Sequence, residues 1–440
     1  MSKDAVGTFL GRRRAAQILG AGAVGLFGAA CAGPGTAKGG DKGASSVPSP
    51  AASGEKVDGK ISFAHWRAED KAAFEELVAG FGKAHPGAVV RQDISPSNDY
   101  QSSALQRIRG GSVGDVFTAF RGAQFVDMAK AGLFADLSDQ PWRSRFDPKY
   151  VKDGRSGGKQ LGFPYQVVFN MPVVNKELVE KASRGKAPKD WDSFLALCDR
   201  LKSQGHTPIA WPGGDPGNAG QLFNCMVMNN APSPDMCTRI ESGEYKCTDD
   251  WFITTLKQYA QLRPFFQSDA TGTAMEPCQQ IFADGKAAML ATGSYDIAAI
   301  RKLKARFDVD LLAPITTSAD KAKYDGIYNA TFILGVNAEA KSPRAAVTFV
   351  EHLSKPQVAG RYANATRQHV SVKGVEYTDP DLKAISPWLE KKTLAAPRFQ
   401  FVDLDIRGAV EGACTAVVGG KSPQKAAEEA QRVVDQKRSK

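Results

Sequence analysis

The fold is decided by KISFAHWRAEDKAAFEELVAGFGKAHPGAVVRQDI, Lys60–Ile94. Its first seven residues alternate apolar and polar side chains and then meet charge, which predicts a strand followed by a loop. Phe74, Leu77, Val78 and Phe81 recur at i, i+3, i+4 and i+7, one apolar helical face, and Pro86-Gly87 ends it. Ala88–Ile94 reads as a second strand. The alternation continues with a helix on Tyr100, Leu105 and Ile108 closed by Gly110-Gly111. A strand at Asp115–Phe120 and a helix around Phe125–Lys130, ended by Gly132, follow. Strands alternating with helices predict an α/β fold, with a mostly parallel sheet covered on both faces and right-handed crossovers.

Outward from this unit, Leu161–Ala182 is an extended apolar piece leading into a helix, suited to carry the chain between domains. Trp191–Gly205 (WDSFLALCDRLKSQG) is an amphipathic helix with Phe194, Leu197, Cys198 and Leu201 on one face, and Trp191 is assigned to the core. His206–Trp211 reads as a strand before the glycine-rich loop Pro212–Gly220. Six segments in order now carry a resemblance: ISFAHW (Ile61–Trp66), GSVGDVFTAF (Gly111–Phe120), GFPYQVVFNMPVVNKELVEKA (Gly162–Ala182), PKDWDSFLALCDRLKSQGHTPIA (Pro188–Ala210), FADGKAAMLATGSYD (Phe282–Asp296) and FILGVNAEAKSPRAAVTFVEHL (Phe332–Leu353). Together they resemble the extracellular solute-binding proteins of carbohydrate ABC transporters, the maltose-binding-like family 1, over about Lys60 to Asp435. The resemblance implies a two-lobed, type II periplasmic-binding-protein-like fold, each lobe a mostly parallel sheet flanked by helices, with a ligand cleft between. It implies lobe one from 58–168 plus 308–334 and lobe two from 169–307 plus 335–440. Closure around ligand would be a hinge motion.

The N-terminus adds an address. Arg12, Arg13 and Arg14 precede an uncharged run, Ala15–Ala30, and small residues lead to Cys31. Basic region, apolar region and small-residue end are the order of an export signal, and the run is shorter than the ~20 residues of a membrane span. Residues 1–31 resemble a bacterial lipoprotein signal with Cys31 as the acylated residue, although Gly28 stands where that pattern has Leu. The arginines also resemble a twin-arginine signal. Residues 32–57, rich in Ala, Gly, Ser, Pro and Lys, read as a flexible tether. The expectation is an exported, monomeric protein held to the outer face of the cytoplasmic membrane by lipid alone.

The formal charge of +10 leaves +7 outside residues 1–30, and it is spread out. No dense basic block with interleaved aromatics points to nucleic acid. Six further cysteines, Cys198, Cys225, Cys237, Cys247, Cys278 and Cys414, make an even number in an exported chain and suggest disulfides, with connectivity open. The spacing C-x-x-C does not occur, and the five histidines lack H-E-x-x-H spacing, so neither metal nor cofactor is expected. Gly419–Ser422 (GGKS) lacks the earlier glycine of a phosphate loop and reads as a helix end and turn.

Sugars present apolar ring faces and many hydroxyls, so a sugar site needs aromatic plates with carboxylate, amide and Arg partners. By family position the resemblance implies ligand contacts at Trp66, Arg67, Glu69, Phe120, Arg121, Tyr165, Trp211, Asp215, Tyr295, Asp296, Tyr328, Asn329, Arg367, Phe401 and Asp403. The function it implies is capture of a sugar or oligosaccharide, without catalysis, for delivery to ABC permease subunits. Two alternatives stay open. One is an anchored hydrolase using a carboxylate pair such as Glu69 with Asp296, which would have to face each other at roughly 5–9 Å. The other is a binding protein for a non-sugar polar solute.

Overall fold

The computed structural model describes residues 47–52 and 54–439. The expected signal with Cys31, and the tether up to residue 46, lie outside them. The remainder of the expected tether is packed rather than loose. The Ala51 N–H donates to Thr348 Oγ1 at 3.0 Å, Val57 is 3% exposed, and Val47 and Ala51 rest on a hydrophobic cluster. Three apolar side chains seat this short segment once a packed surface exists to receive them.

From Gly59 the predicted alternation is realised: β1 (Gly59–His65), α1 (Lys71–Ala84), β2 (Ala88–Ile94), α2 (Ser97–Arg109), β3 (Val116–Ala119) and α3 (Ala123–Lys130). The face of α1 buries Phe74, Leu77 and Phe81. Tyr100 of α2 ties two strands, its hydroxyl shared between the carbonyls of Ala64 (3.1 Å) and Thr118 (2.7 Å). Beyond a small hairpin at 155–160 come β4 (Phe163–Val168), β5 (Val173–Asn175), α4 (Trp191–Ser203), β6 (Thr207–Ala210), β7 (Ala287–Leu290), β8 (Val309–Leu311) and β9 (Gly326–Val336). The chain ends with α5 (Pro343–Leu353), α6 (Pro356–Thr366), β10 (His369–Val370), β11 (Thr393–Ala395), α7 (Leu404–Val418) and α8 (Pro423–Arg438).

One sheet has the order β10-β4-β9-β3-β1-β2, with β11 added to β9; the other has the order β8-β5-β7-β6. Parallel pairing holds for β1–β2, β1–β3, β6–β7 and β9–β11. Strands β4 and β9 pair antiparallel with each other, as do β9–β3, β10–β4, β8–β5 and β5–β7. The sheets are therefore mixed where mostly parallel ones were expected. Crossover helices explain the parallel pairs of the opening unit, whereas a strand returning from the other lobe enters against its neighbours' direction.

Two hydrophobic clusters mark the lobes. They divide the chain differently from the expected boundaries. Helices α5 and α6 pack with β1 and α1 in the first cluster, so residues 343–366 belong with lobe one, not lobe two. Strand β8, assigned to lobe one, pairs with β5 in the second sheet. The reason lies in β9: after re-entering the first sheet, the chain must cover that sheet before it returns. The first cluster continues to Leu382, and the second resumes at Ile385.

All six described cysteines, Cys198, Cys225, Cys237, Cys247, Cys278 and Cys414, are free and buried, so the expected bridges are absent from this structure. They act as small apolar side chains within the second cluster. Burial pushes the thiols of Cys247 and Cys278 up to about 12. Ellman titration of the native protein should find these six unreactive, and denaturation without reductant should release all six. A deficit of two or more would show bridging.

Candidate functional site

A cleft of about 370 Å³ lies where β4 and β9 pass between the lobes. Both strands are buried along their whole length, so strand alternation chooses what faces it. Gln166 and Val168 of β4, and Asn329 and Thr331 of β9, line the cleft. Tyr165 and Tyr328 do not. Tyr165 donates its hydroxyl to the Leu353 carbonyl at 3.1 Å in the lobe-one core. Tyr328 packs edge-on to Tyr150.

The lobe-one wall carries Trp66 and Phe120, stacked with centroids 3.7 Å apart and planes 19° apart. One face of the indole is thus taken by Phe120 rather than left open. Beside them Arg67 donates from Nε to Asp70 Oδ2 at 2.8 Å and meets Glu69 at 2.9 Å. Asp70 also accepts from the Tyr362 hydroxyl at 2.6 Å, and Gln166 bonds to that same hydroxyl. Burial opposes the charge on Arg67, but Asp70, Tyr362 and Glu69 outweigh it and hold the guanidinium above its ordinary pKa. Gly122, just after β3, has φ +90, and a Cβ there would sit 2.6 Å from the Phe399 carbonyl oxygen of lobe two. That close approach demands glycine.

The lobe-two wall is a chain of amides and charges. The Tyr295 hydroxyl donates to Asn218 Oδ1 at 3.1 Å, and Asn218 Nδ2 donates to Asp215 Oδ2 at 2.7 Å. Arg398 forms a fork with Glu411 at 2.7 and 2.8 Å and donates to the Gly217 carbonyl at 2.7 Å. Such bidentate pairing compensates two charges that would be costly to bury singly. Asn170 donates to Gln221 Oε1 at 2.8 Å. The Oδ1 atoms of Asn170 and Asn329, both on cleft-lining residues that are under 5% exposed, have no partner among the described residues. Buried acceptors of this kind call for a donor, from solvent or solute.

Of the residues expected to contact ligand, the cleft gathers Trp66, Arg67, Phe120, Asp215, Tyr295 and Asn329. Glu69 and Asp296 stand next to cleft residues without lining it. The others serve the scaffold. Trp211 is 1% exposed and donates from its indole to the Ala219 carbonyl at 3.1 Å. Arg121 donates to the Ala396 carbonyl at 3.2 Å and pairs with Asp153 at 3.4 Å. Arg367 pairs with Asp379 at 3.1 Å and Asp381 at 3.4 Å. Phe401 is in the core, and Asp403 caps α7 by accepting from Asp405 N and Ile406 N. Sequence reasoning missed Gln166, Asn170, Gln221, Arg398, Phe399 and Arg407. A signal existed for the first two: they are the amides within the apolar run YQVVFNM, Tyr165–Met171.

A sequence profile described as bacterial extracellular solute-binding protein matches residues 65–360. The chain belongs to that family. A "multiple sugar-binding protein" of Streptococcus mutans is 22% identical to this binding protein over 326 residues, 72% of this chain and 76% of the relative. A chitin oligosaccharide binding protein superposes with a TM-score of 0.74 at 22% identity, covering 87% of this chain and all of the other. The protein RafE in complex with raffinose also gives 0.74, at 20% identity, covering 86% and 99%. At these identities the superpositions establish the two-lobed fold.

Asp296 supplies a test of the cleft's electrostatics. It is 4% exposed and accepts from Gln279 at 2.9 Å. Burial, aided by Asp215, raises its carboxyl to about 7. Between about pH 4 and 7 the unfolded chain therefore loses this proton while the folded one keeps it, and this group lowers stability as pH rises through that window. The ceiling is about 4 kcal/mol at ~1.36 kcal/mol per unit. In urea unfolding, Asp296→Asn should match the parent near pH 4 and exceed it in stability at pH 8. Parallel pH profiles for the two proteins would refute the assignment.

Proposed function

We propose that this binding protein captures a saccharide in the interlobe cleft and passes it, unaltered, to the permease of an ABC importer, tethered to the membrane through Cys31. The observation that carries the reading is the cleft itself. Aromatic rings on both walls, Trp66 and Phe120 facing Tyr295 and Phe399, are combined with orphan amide acceptors at Asn170 and Asn329. A sugar supplies ring faces for the first and hydroxyl donors for the second. The names of the relatives support the same reading, since they bind sugar, chitin oligosaccharide and raffinose. The proposed lobes are those of the two clusters, with β4 and β9 as crossing strands about which closure would occur.

The rival carboxylate-pair reading draws no support from the geometry. Glu69 is tied to Arg67, and Asp296 is buried against Gln279 outside the cleft lining.

A thermal-shift panel of mono- and oligosaccharides, with chromatography of the sugars afterwards, tests the proposal. A ligand at about 100 times its Kd should add about 2.7 kcal/mol to stability while the sugar is recovered unchanged. Turnover of the sugar, or stabilisation by no saccharide in the panel, would refute it. Cys31→Ser should move the protein from the membrane fraction to the soluble fraction of the expressing bacterium and abolish labelling by radioactive palmitate. Unchanged labelling would place the acyl chain elsewhere.

A further inference from the structure

We propose that the solute carries an anionic substituent and that Arg407 is the residue that reads it. This inference rests on the cleft being a saccharide site and names the class of saccharide: one bearing a carboxylate, or a sulfate or phosphate ester, in place of a neutral hydroxymethyl or hydroxyl group.

The argument begins with how each cation of the cleft is matched. Arg67 has Asp70 at 2.8 Å and Glu69 at 2.9 Å. Arg398 takes both oxygens of Glu411, at 2.7 and 2.8 Å, and the Gly217 carbonyl. Arg407 lines the same cleft from the first turns of α7, half-buried, and among the described residues its guanidinium has neither an ion pair nor a hydrogen bond. The carboxylates spaced to serve it along the helix are four residues away on either side, and both are committed. Glu411 is held by Arg398. Asp403 accepts from Asp405 N at 2.8 Å and Ile406 N at 3.1 Å and faces Lys437. Asp215, the carboxylate lining the cleft, is held on one oxygen by Asn218. Arg398 and Arg407 thus share the wall with two carboxylates, Glu411 and Asp215, and of the two guanidiniums Arg407 is the one left without an ion pair among the described residues. Burial first, then Arg398, depresses the pKa of Arg407, with Glu411 opposing.

Closure adds the decisive cost. Drawing the lobes together over a solute removes water from Arg407, and an unpaired guanidinium out of water is strongly unfavourable. Closure over a solute that brings an anion to Arg407 replaces that water with a charge-assisted, bidentate contact. A neutral sugar offers only hydroxyl oxygens there. The unpaired guanidinium therefore discriminates between a solute and its neutral counterpart, on the same principle by which a charged site rejects an uncharged analogue.

The experiment pairs neutral sugars with anionic counterparts on the purified protein, using isothermal titration and thermal shift. Galactose is set against galacturonate, glucose against glucuronate and glucose 6-phosphate, and N-acetylglucosamine against its 6-sulfate; trigalacturonate covers longer ligands. At least one anionic sugar should bind tenfold or more tightly than its neutral parent, with the advantage shrinking as salt rises. The arm that wins identifies carboxylate, phosphate or sulfate. Arg407→Gln should erase the preference and Arg407→Lys should keep part of it, each variant first shown to melt like the parent. Equal or tighter binding of the neutral sugars would overturn the anionic reading and leave the saccharide reading standing. Binding of no sugar of either kind would sink both, and a preference that survives in Arg407→Gln would remove Arg407 from the role.

Discussion

Everything in this molecule depends on two strands that belong to both lobes. Strand β9 runs eleven residues, every one buried, and pairs antiparallel with β4 in a single register from Asn329 opposite Val168 to Leu334 opposite Phe163. Val167 and the segment Ile327–Ala330 pack in one cluster, and Phe163, Tyr165 and Phe332–Val336 in the other. A slip of one residue would turn every side chain to the wrong face, so burial on both sides holds the register. Where the strands change clusters, Phe332 takes φ +55, a conformation costing of order 1–3 kcal/mol for a bulky residue. It is held there by Phe63, His65, Trp66 and Phe74, whose rings surround its own at 4.9–6.4 Å.

That arrangement explains why the cleft is polar in a molecule whose strands are apolar. Alternation sends Phe163, Tyr165 and Val167 into the cores and leaves Gln166 to the gap. Water or solute must satisfy what stands there, and the protein satisfies as much as it can internally. Asp70 collects Arg67, Tyr362 and Gln166; Glu411 collects Arg398. Among the described residues of the cleft, the Asn170 and Asn329 amide oxygens and the Arg407 guanidinium are left without a protein partner.

The cysteines show the same economy of environment. An even count in an exported chain suggests crosslinks, but the second lobe buries six free thiols, with Cys247 near enough to Cys237 and Cys414 to push their thiols up. Tyr259, Phe252 and Leu256 of helix Asp250–Leu262, each at most 1% exposed, pack in the same cluster. A core of this size does not need crosslinks to reach ordinary stability.

The opening βαβα unit, the amphipathic helix at Trp191–Ser203 and the capping end of α7 are local matters of periodicity and turn chemistry, and Lys60–Ile94 alone determined its strands and helix. The order of six weak motifs determined the two-lobed family, and the basic, apolar and cysteine sequence at the N-terminus determined the expected export route. Tertiary structure alone decided the lobe membership of α5, α6 and β8, because that follows from where β9 lands, a pairing between residues more than 150 positions apart in sequence. It also decided the site. Trp211, Arg121 and Arg367 carry side chains as suitable for a sugar as Trp66, Arg67 and Arg398. What separates them is which side of a strand faces the gap and which carboxylate or carbonyl is near enough to claim a cation, and neither is written in any local stretch of residues.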